Sequence, residues 1–348
     1  MRIRCLPISG ASFGAQLGIM CDVVQLGECD IHMCSSGGAV ATYVGLCGDW
    51  TPEGIRRVAA DINSAMFIDS WFQGWLSFLP SALMGIFKGS LYQKTYLGEA
   101  YLSSFLNEES IQRSEIWVGA VDRSASKSQF FCNRSKSILQ LERFQPEIVG
   151  ASELIFLNGN VNMISKAVMA SASVPIVMEA EVINGVEYVD GGMHYASPLT
   201  ALIGTINPDE PLHVDYISSF DLRTYVYTDT YQAGNLMHQY QQTIKGLIHS
   251  ICLQDRMVAL SLMSKHGRLN RKDYNGNLAM ITVLESFRSK CTHTMLELYP
   301  TEYIELPIAD FNGDDVVALL DKSRGDYKLH LWWIGDQEPP AQIDRQCN

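Results

Sequence analysis

Two stretches of this sequence carry side chains whose type and placement suit acyl transfer. Met33-Cys34-Ser35-Ser36-Gly37 follows an apolar run and opens a helical pattern. A serine on such a strand-to-helix turn is lifted from the sheet edge, above the free amides and positive dipole end of the helix behind it. Ser35 is therefore the candidate nucleophile, with Ser36, Gly37 and Gly38 small enough to let substrate and backbone approach. The pattern departs from G-x-S-x-G, since Met33 holds the place of the first glycine, and an ordinary polar turn reads from it as readily. Tyr188-Val189-Asp190-Gly191-Gly192 sets a carboxylate at the end of a strand, the place for a base and also a common form of plain β-turn. Ser9-Gly10-Ala11-Ser12-Phe13-Gly14 is another small-residue turn, whose amides suit an oxyanion hole.

Other chemistries find no support. None of the eight histidines stands in H-x-x-x-H or H-E-x-x-H, and none of the nine cysteines in C-x-x-C. A zinc site or a thiol-redox site has no support in that pattern, and no metal or other cofactor is expected. There is neither a G-x-G-x-x-G nor a G-K-[ST] loop for a nucleotide. His194, four residues past Asp190, is the one histidine near a candidate motif and reads as a bystander.

The elements that must position these residues follow from apolar spacing. Ile3 to Ile8 reads as a buried strand, Ala15 to Leu26 as a helix, Asp30 to Cys34 as a second strand and Ala39 to Cys47 as a second helix. This β-turn-α-β-turn-α order is the unit of a parallel sheet covered by helices. Thr51-Pro52-Glu53 starts a further helix, with a capping residue and then proline. Further on, Ile116 to Val121 and Gln129 to Cys132 read as paired strands, Leu154 to Leu157 as a short apolar run and Asn162 to Ser173 as a helix. Val186 to Val189 and His213 to Ile217 read as strands, about 232–265 as helical, Tyr303 to Ile308 as a strand and Asp314 to Trp333 as a last helix. No linker or repeat divides the chain. One domain is expected over 1–335, with a motif-bearing core at 1–200, an elaboration at 201–335 and a tail at 336–348.

Composition sets the bounds. At 348 residues, 47% hydrophobic and 18% charged, the chain is globular, with enough length for a sizeable core. A net charge of -12 argues against a general nucleic-acid binder and against electrostatic adsorption to anionic membranes. An odd cysteine count with irregular spacing suits a reducing compartment, and the first seven residues lack the apolar region of a secretion signal. An intracellular protein is expected, peripheral at membranes if it meets them. Residues 70–87 are uncharged and hold Trp71, Phe72, Trp75 and Phe78, with Gly74, Pro80 and Gly85 interrupting the run. They read as buried core or as a flap touching lipid rather than as a membrane span.

Taken together, the three turns resemble the patatin-like phospholipases. In that family a strand leads into G-G-G-x-[RK]-G, and a helix and strand lead into G-x-S-x-G. Ser9–Gly14 and Met33–Gly38 occupy those places. Later come an Ala/Ser-rich helix end before proline, a strand into D-G-[GA], and an Asn/Ser-Pro. Here these are Ala170-Ser171-Ala172-Ser173-Val174-Pro175, Tyr188–Gly192 and Ser197-Pro198. Ser9 and Ala11 replace two glycines of the first motif, and Phe13 stands where a basic residue is usual.

The resemblance implies an α/β fold, a three-layer α/β/α sandwich with a mainly parallel central sheet. It implies a phospholipase A-like esterase that uses a Ser35–Asp190 dyad without histidine, through an acyl-enzyme. Gly10, Ala11 and Ser36 would form the oxyanion hole and Gly37 the elbow. The implied partner is a membrane phospholipid or neutral lipid at a bilayer surface, with Trp71, Phe72, Trp75 and Phe78 as interface residues. The alternatives are an inactive lipid-binding scaffold on the same fold, and a soluble ester or thioester hydrolase or acyltransferase.

Overall fold

Residues buried on both faces of a sheet read as continuous apolar runs, and the first strands here are of that kind. The computed structural model describes residues 1–69, 90–94, 100–101, 103–106, 111, 113–139, 141, 151, 154–202, 205–207, 209–221, 236–304, 306–307 and 310–343. The chain opens with β1 (Arg2–Leu6), α1 (Phe13–Val23), β2 (Ile31–Ser35), α2 (Gly37–Cys47) and α3 (Pro52–Asp61). Every residue of α1 and α2 is buried, so these two helices lie inside the layer they belong to. In contrast, α3 is amphipathic, and Thr51 caps it by accepting from the Gly54 amide at 3.1 Å.

Ten short elements carry the middle of the chain. They are β3 (Ile68–Asp69), β4 (Ser90–Lys94), β5 (Glu115–Asp122), β6 (Lys127–Cys132), β7 (Ile155–Phe156), α4 (Val161–Ala172), β8 (Ile176–Met178), β9 (Glu181–Ile183), β10 (Val186–Asp190) and β11 (Leu212–Ile217). The last part holds α5 (Leu236–Ser264), β12 (Leu269–Gly276), α6 (Leu278–Arg288), β13 (His293–Pro300), α7 (Gly313–Ser323) and β14 (Tyr327–Ile334). Asparagines 160, 277 and 312 cap α4, α6 and α7 through their side chains, and Asp315 completes a capping box on α7.

One large sheet runs β12-β14-β13-β11-β1-β2-β5-β10-β9, with β6 on β5 and β7 on β6. Its centre, β13-β11-β1-β2-β5, is parallel throughout, and antiparallel strands flank it. A second small sheet is ordered β3-β4-β8. Two apolar cores lie on the two faces of the large sheet. One gathers α1, α2, α3, α4, α6 and α7, and the other is closed by α5 through Ile251, Cys252, Ala259, Leu260 and Met263. The result is the expected α/β/α sandwich.

Alternation along each strand decides which core a side chain joins. In β2, Ile31 and Met33 belong to the α5 side, whereas Cys34 belongs to the core around α2. The eight described cysteines are buried thiols, none of them joined in a disulfide. No described helix is long and apolar enough to cross a membrane.

The later half departs from the sequence reading. The strand expected at Tyr303 to Ile308 is irregular over its described residues, and the last strands are β13 and β14. The expected helix from Asp314 to Trp333 stops at Ser323. Gly325 takes a left-handed φ of 67°, and Tyr327–Ile334 continues as a strand. Part of the expected tail is tied down: Tyr274 Oη donates to the Pro340 carbonyl at 2.9 Å, and the Asn275 amide to Gln342 Oε1 at 2.9 Å.

Candidate active site

A single strand sets the geometry of the site. β6 occupies one edge of β5 from Trp117 to Asp122, so β2 and β10 share the other. β2 runs parallel to β5 and ends with Ser35 opposite Gly119, while β10 runs antiparallel and ends with Asp190 opposite Ala120. Two strand ends far apart in sequence therefore abut on adjacent residues of β5. The small turn after each supplies the chemistry.

The hydroxyl that meets the carboxylate is that of Ser36. Its Oγ donates to Asp190 Oδ2 at 2.7 Å. Ser36 is also the strained residue of the turn, with φ 57° and ψ -133°, a conformation that non-glycine residues adopt only when their surroundings enforce it. Here the enforcement is visible. The Ser36 amide donates to Ser171 Oγ at 2.8 Å, and Ser171 Oγ donates on to the Gly119 carbonyl at 2.5 Å. Behind it the start of α2 is pressed against the first turn: a Cβ on Gly37 would come within 2.1 Å of the Gly10 carbonyl. Only glycine fits there.

Ser35 lies elsewhere. As the last residue of β2 it shares a face with Met33, and that face belongs to the α5 core. Its Oγ is buried without a hydrogen-bond partner among the described residues, and a Cβ on Gly119 would lie 2.6 Å from it. The expected pairing of Ser35 with Asp190 is thus corrected by one residue, because side-chain direction reverses at each step of a strand. The expected oxyanion role of the Ser36 amide meets a similar difficulty, since that N–H is already held by Ser171.

Asp190 is 1% exposed. Its Oδ1 accepts from the Gly192 amide at 2.7 Å and its own amide donates to the Ser173 carbonyl at 2.9 Å. Burial pushes the carboxyl up to about 7, and the bonds from Ser36 and Gly192 pull it back only in part. A carboxylate so placed is a far better proton acceptor near neutral pH than a solvated aspartate.

A cleft opens over Ser36. Gly10, Ala11, Ser36 and Gly37 form its floor, with Gly10 at a left-handed φ of 54°. Phe13, Val40, Phe67 and Phe311 wall it with Ala172, Val174 and Met178. Phe13 meets Phe311 edge-on at 6.0 Å, and Phe67 lies 6.3 Å from the same ring. No histidine stands among the described residues lining this cleft. His194 instead pairs through Nδ1 with Ser128 Oγ at 3.2 Å. Among the described residues no cluster of potential ligands could hold a metal.

The structure thus brings together Asp190, Gly10, Ala11, Ser36 and Gly37, and turns Ser35 away. Trp71, Phe72, Trp75 and Phe78 lie outside the described residues. Sequence reasoning passed over Ser171 and the walls Phe67 and Phe311. Ser171 stood in the quoted Ala/Ser-rich run, but four small residues there gave no sign of which one meets the elbow. The two phenylalanines come from distant turns and carry no local signal.

The family model for patatin-like phospholipases matches residues 1–203. Among curated proteins none matches the chain. A solved structure, that of VipD from Legionella pneumophila, aligns with 94% of this chain and 67% of its own at 12% identity and a TM-score of 0.34.

Proposed function

The chain belongs to the patatin-like phospholipase family, whose members act on lipid acyl esters, and we propose that it is itself a serine hydrolase of such esters, with Ser36 and Asp190 as its dyad. The bond from Ser36 Oγ to a buried carboxylate raised to about 7 carries the proposal.

Ser36 Oγ attacks the ester carbonyl carbon while its proton passes to Asp190 Oδ2. Negative charge collects on the former carbonyl oxygen. The amides of Gly10 and Ala11 in the first turn, with that of Gly37 at the start of α2, are the donors for it. Gly37 replaces the Ser36 amide in this role, because the latter is bonded to Ser171. Collapse of the tetrahedral intermediate breaks the ester C–O bond, and the leaving alkoxide takes the proton from Asp190. Water then attacks the acyl-Ser36 ester, giving its proton to Asp190, and Ser36 recovers that proton as the fatty acid leaves.

The aromatic and aliphatic walls suit an acyl chain. They lie directly beside Ser36, and burying each methylene there contributes about 0.8 kcal/mol. The lipid is presented at a bilayer surface in this proposal. A fluorophosphonate probe tests the assignment directly. It should label the wild-type protein on the peptide containing Ser36, and the label should vanish in Ser36→Ala. A folded wild-type protein that takes no label would leave the family fold without the activity.

Ser171 acts as a positioning residue, holding the strained elbow through its bond to the Ser36 amide. Ser171→Ala removes the acceptor of that buried N–H and a donor to the Gly119 carbonyl. On a soluble short-chain ester it should lower kcat about tenfold or more. KM should stay nearly unchanged, and Ser171→Thr should restore most of the loss. A fall in KM-linked binding alone, with kcat intact, would count against the positioning role.

A further inference from the structure

Towards the amino ends of the central strands, away from Ser36, positive charge outnumbers negative inside the core. Alternation sets Arg2 and Arg4 of β1 on one face, and the parallel registers lay Asp215 of β11 and His32 of β2 beside Arg4. Arg288 of α6 donates from Nη1 to Asp215 Oδ1 at 2.7 Å, and Arg2 from Nε to Oδ2 at 2.9 Å. Glu285 receives both Arg2 and Arg288 at 3.1 Å. Asp215 is thereby spoken for: Arg4 Nε lies 3.9 Å from its Oδ2, beyond hydrogen-bond reach. Among the described residues, three guanidinium groups face two carboxylates. The one left over, on Arg4, is 2% exposed.

The unmet atoms have the same chemical sense. Nη2 of Arg2, Nη2 of Arg288, and Nε and Nη2 of Arg4 are buried without acceptors among the described residues, as is the indole Nε1 of Trp50. The Trp50 ring stacks on the His32 imidazole at 4.0 Å, and His32 Nδ1 is unpartnered too. Water would satisfy hydrogen bonds here but bring no charge, and a buried cation without a counter-charge is strongly disfavoured. Planar guanidinium forks match the oxygens of a tetrahedral anion.

We propose that Arg4, flanked by Arg2 and Arg288, binds one small inorganic oxyanion, phosphate or sulfate, within the core at this end of the sheet. The anion supplies the missing negative charge and the acceptors. Its role is to stabilise the sheet, independently of the chemistry at Ser36.

The test uses the full chain exchanged into a gluconate buffer, whose organic anion is larger than phosphate or sulfate. Thermal unfolding is then followed as sodium phosphate, sulfate or chloride replaces gluconate at constant ionic strength, with calorimetric titration of inorganic phosphate alongside. The expected result is a saturable rise in Tm with phosphate or sulfate, at one anion per chain. Arg4→Met should weaken the apparent affinity about tenfold or more, the loss of a charged hydrogen bond. Trp50→Phe can keep an aromatic ring against His32 while removing the indole N–H together with its five-membered ring. It should weaken the affinity by a smaller factor, and it serves if Arg4→Met fails to fold. An equal response to chloride and phosphate that survives both substitutions would mean an adventitious ion only and overturn the proposal. So would an Arg4→Met protein that melts higher than the phosphate-saturated wild type.

Discussion

Ser36→Ala should lose at least about a thousandfold in kcat on a short-chain ester, while the neighbouring Ser35→Ala stays within about threefold of wild type. Both substitutions remove one hydroxyl from adjacent residues of one turn, so composition and size cannot separate them. Geometry does. Ser36 Oγ bonds Asp190 at 2.7 Å and lines the cleft, whereas Ser35 Oγ is buried on the α5 side with no partner. Removing an unsatisfied buried hydroxyl costs nothing in hydrogen bonds, so Ser35→Ala should be as stable as wild type or slightly more so. Ser36→Ala keeps the same backbone conformation, since Ser171 and Gly37 hold it, and should fold normally. Initial rates and melting curves on the three proteins decide the matter. Loss of activity in Ser35→Ala with Ser36→Ala unaffected would reverse the assignment.

That one-residue question shows how far the sequence could be read. The repeating strand-turn-helix order was plain, because β1 and β2 are short buried runs and Gly27 and Gly48 punctuate the helices that follow them. The place of the elbow was plain too. Its centre was not, because Ser35-Ser36 and Gly37-Gly38 repeat each other. Centred on Ser35, the pattern ends on Gly37. Centred on Ser36, it ends on Gly38 and begins on Cys34. Strand parity was the available guide: Ser35 is two steps from Met33 and must share its side of the sheet for as long as the strand lasts. Where the strand ended depended on β5, a partner eighty residues away. The later half was harder for a different reason. β12 lies at the sheet edge with a polar, partly exposed pattern, and carries no run of apolar residues to announce it. Only the short turn at Gly325 parts α7 from β14, so their apolar residues run on as one stretch in the sequence.

Asp190→Asn should abolish turnover and, above neutral pH, make the protein more stable. Both effects have one cause. Burial raises the carboxyl from 3.8 to about 7, so the folded chain resists ionising a group that the unfolded chain ionises freely. Below the unfolded pKa both states hold the proton and nothing is lost. As pH rises from about 4 to 7 the unfolded state gives it up first, and stability falls through that window. Above about 7 the loss is complete and levels off. Asparagine has no proton to release and can still accept from the Gly192 amide, so its advantage over wild type should grow across the same window to a plateau of a few kcal/mol. Asp255, buried on α5 beside Ser197 and raised to about 8, contributes a slope of its own in this range. Only the difference between wild type and variant therefore isolates Asp190. Activity runs the other way. The base must be ionised to accept the Ser36 proton, so kcat/KM of the wild type should rise with pH through a midpoint near 7 and stay level above it. The conditions that cost the fold most are then those in which the dyad works. Unfolding curves and rate profiles measured from pH 4 to 9 on the two proteins test both arms. A flat stability difference, together with a rate midpoint near 4, would mean that the carboxyl is solvated and that Asp190 is too weak a base for this role.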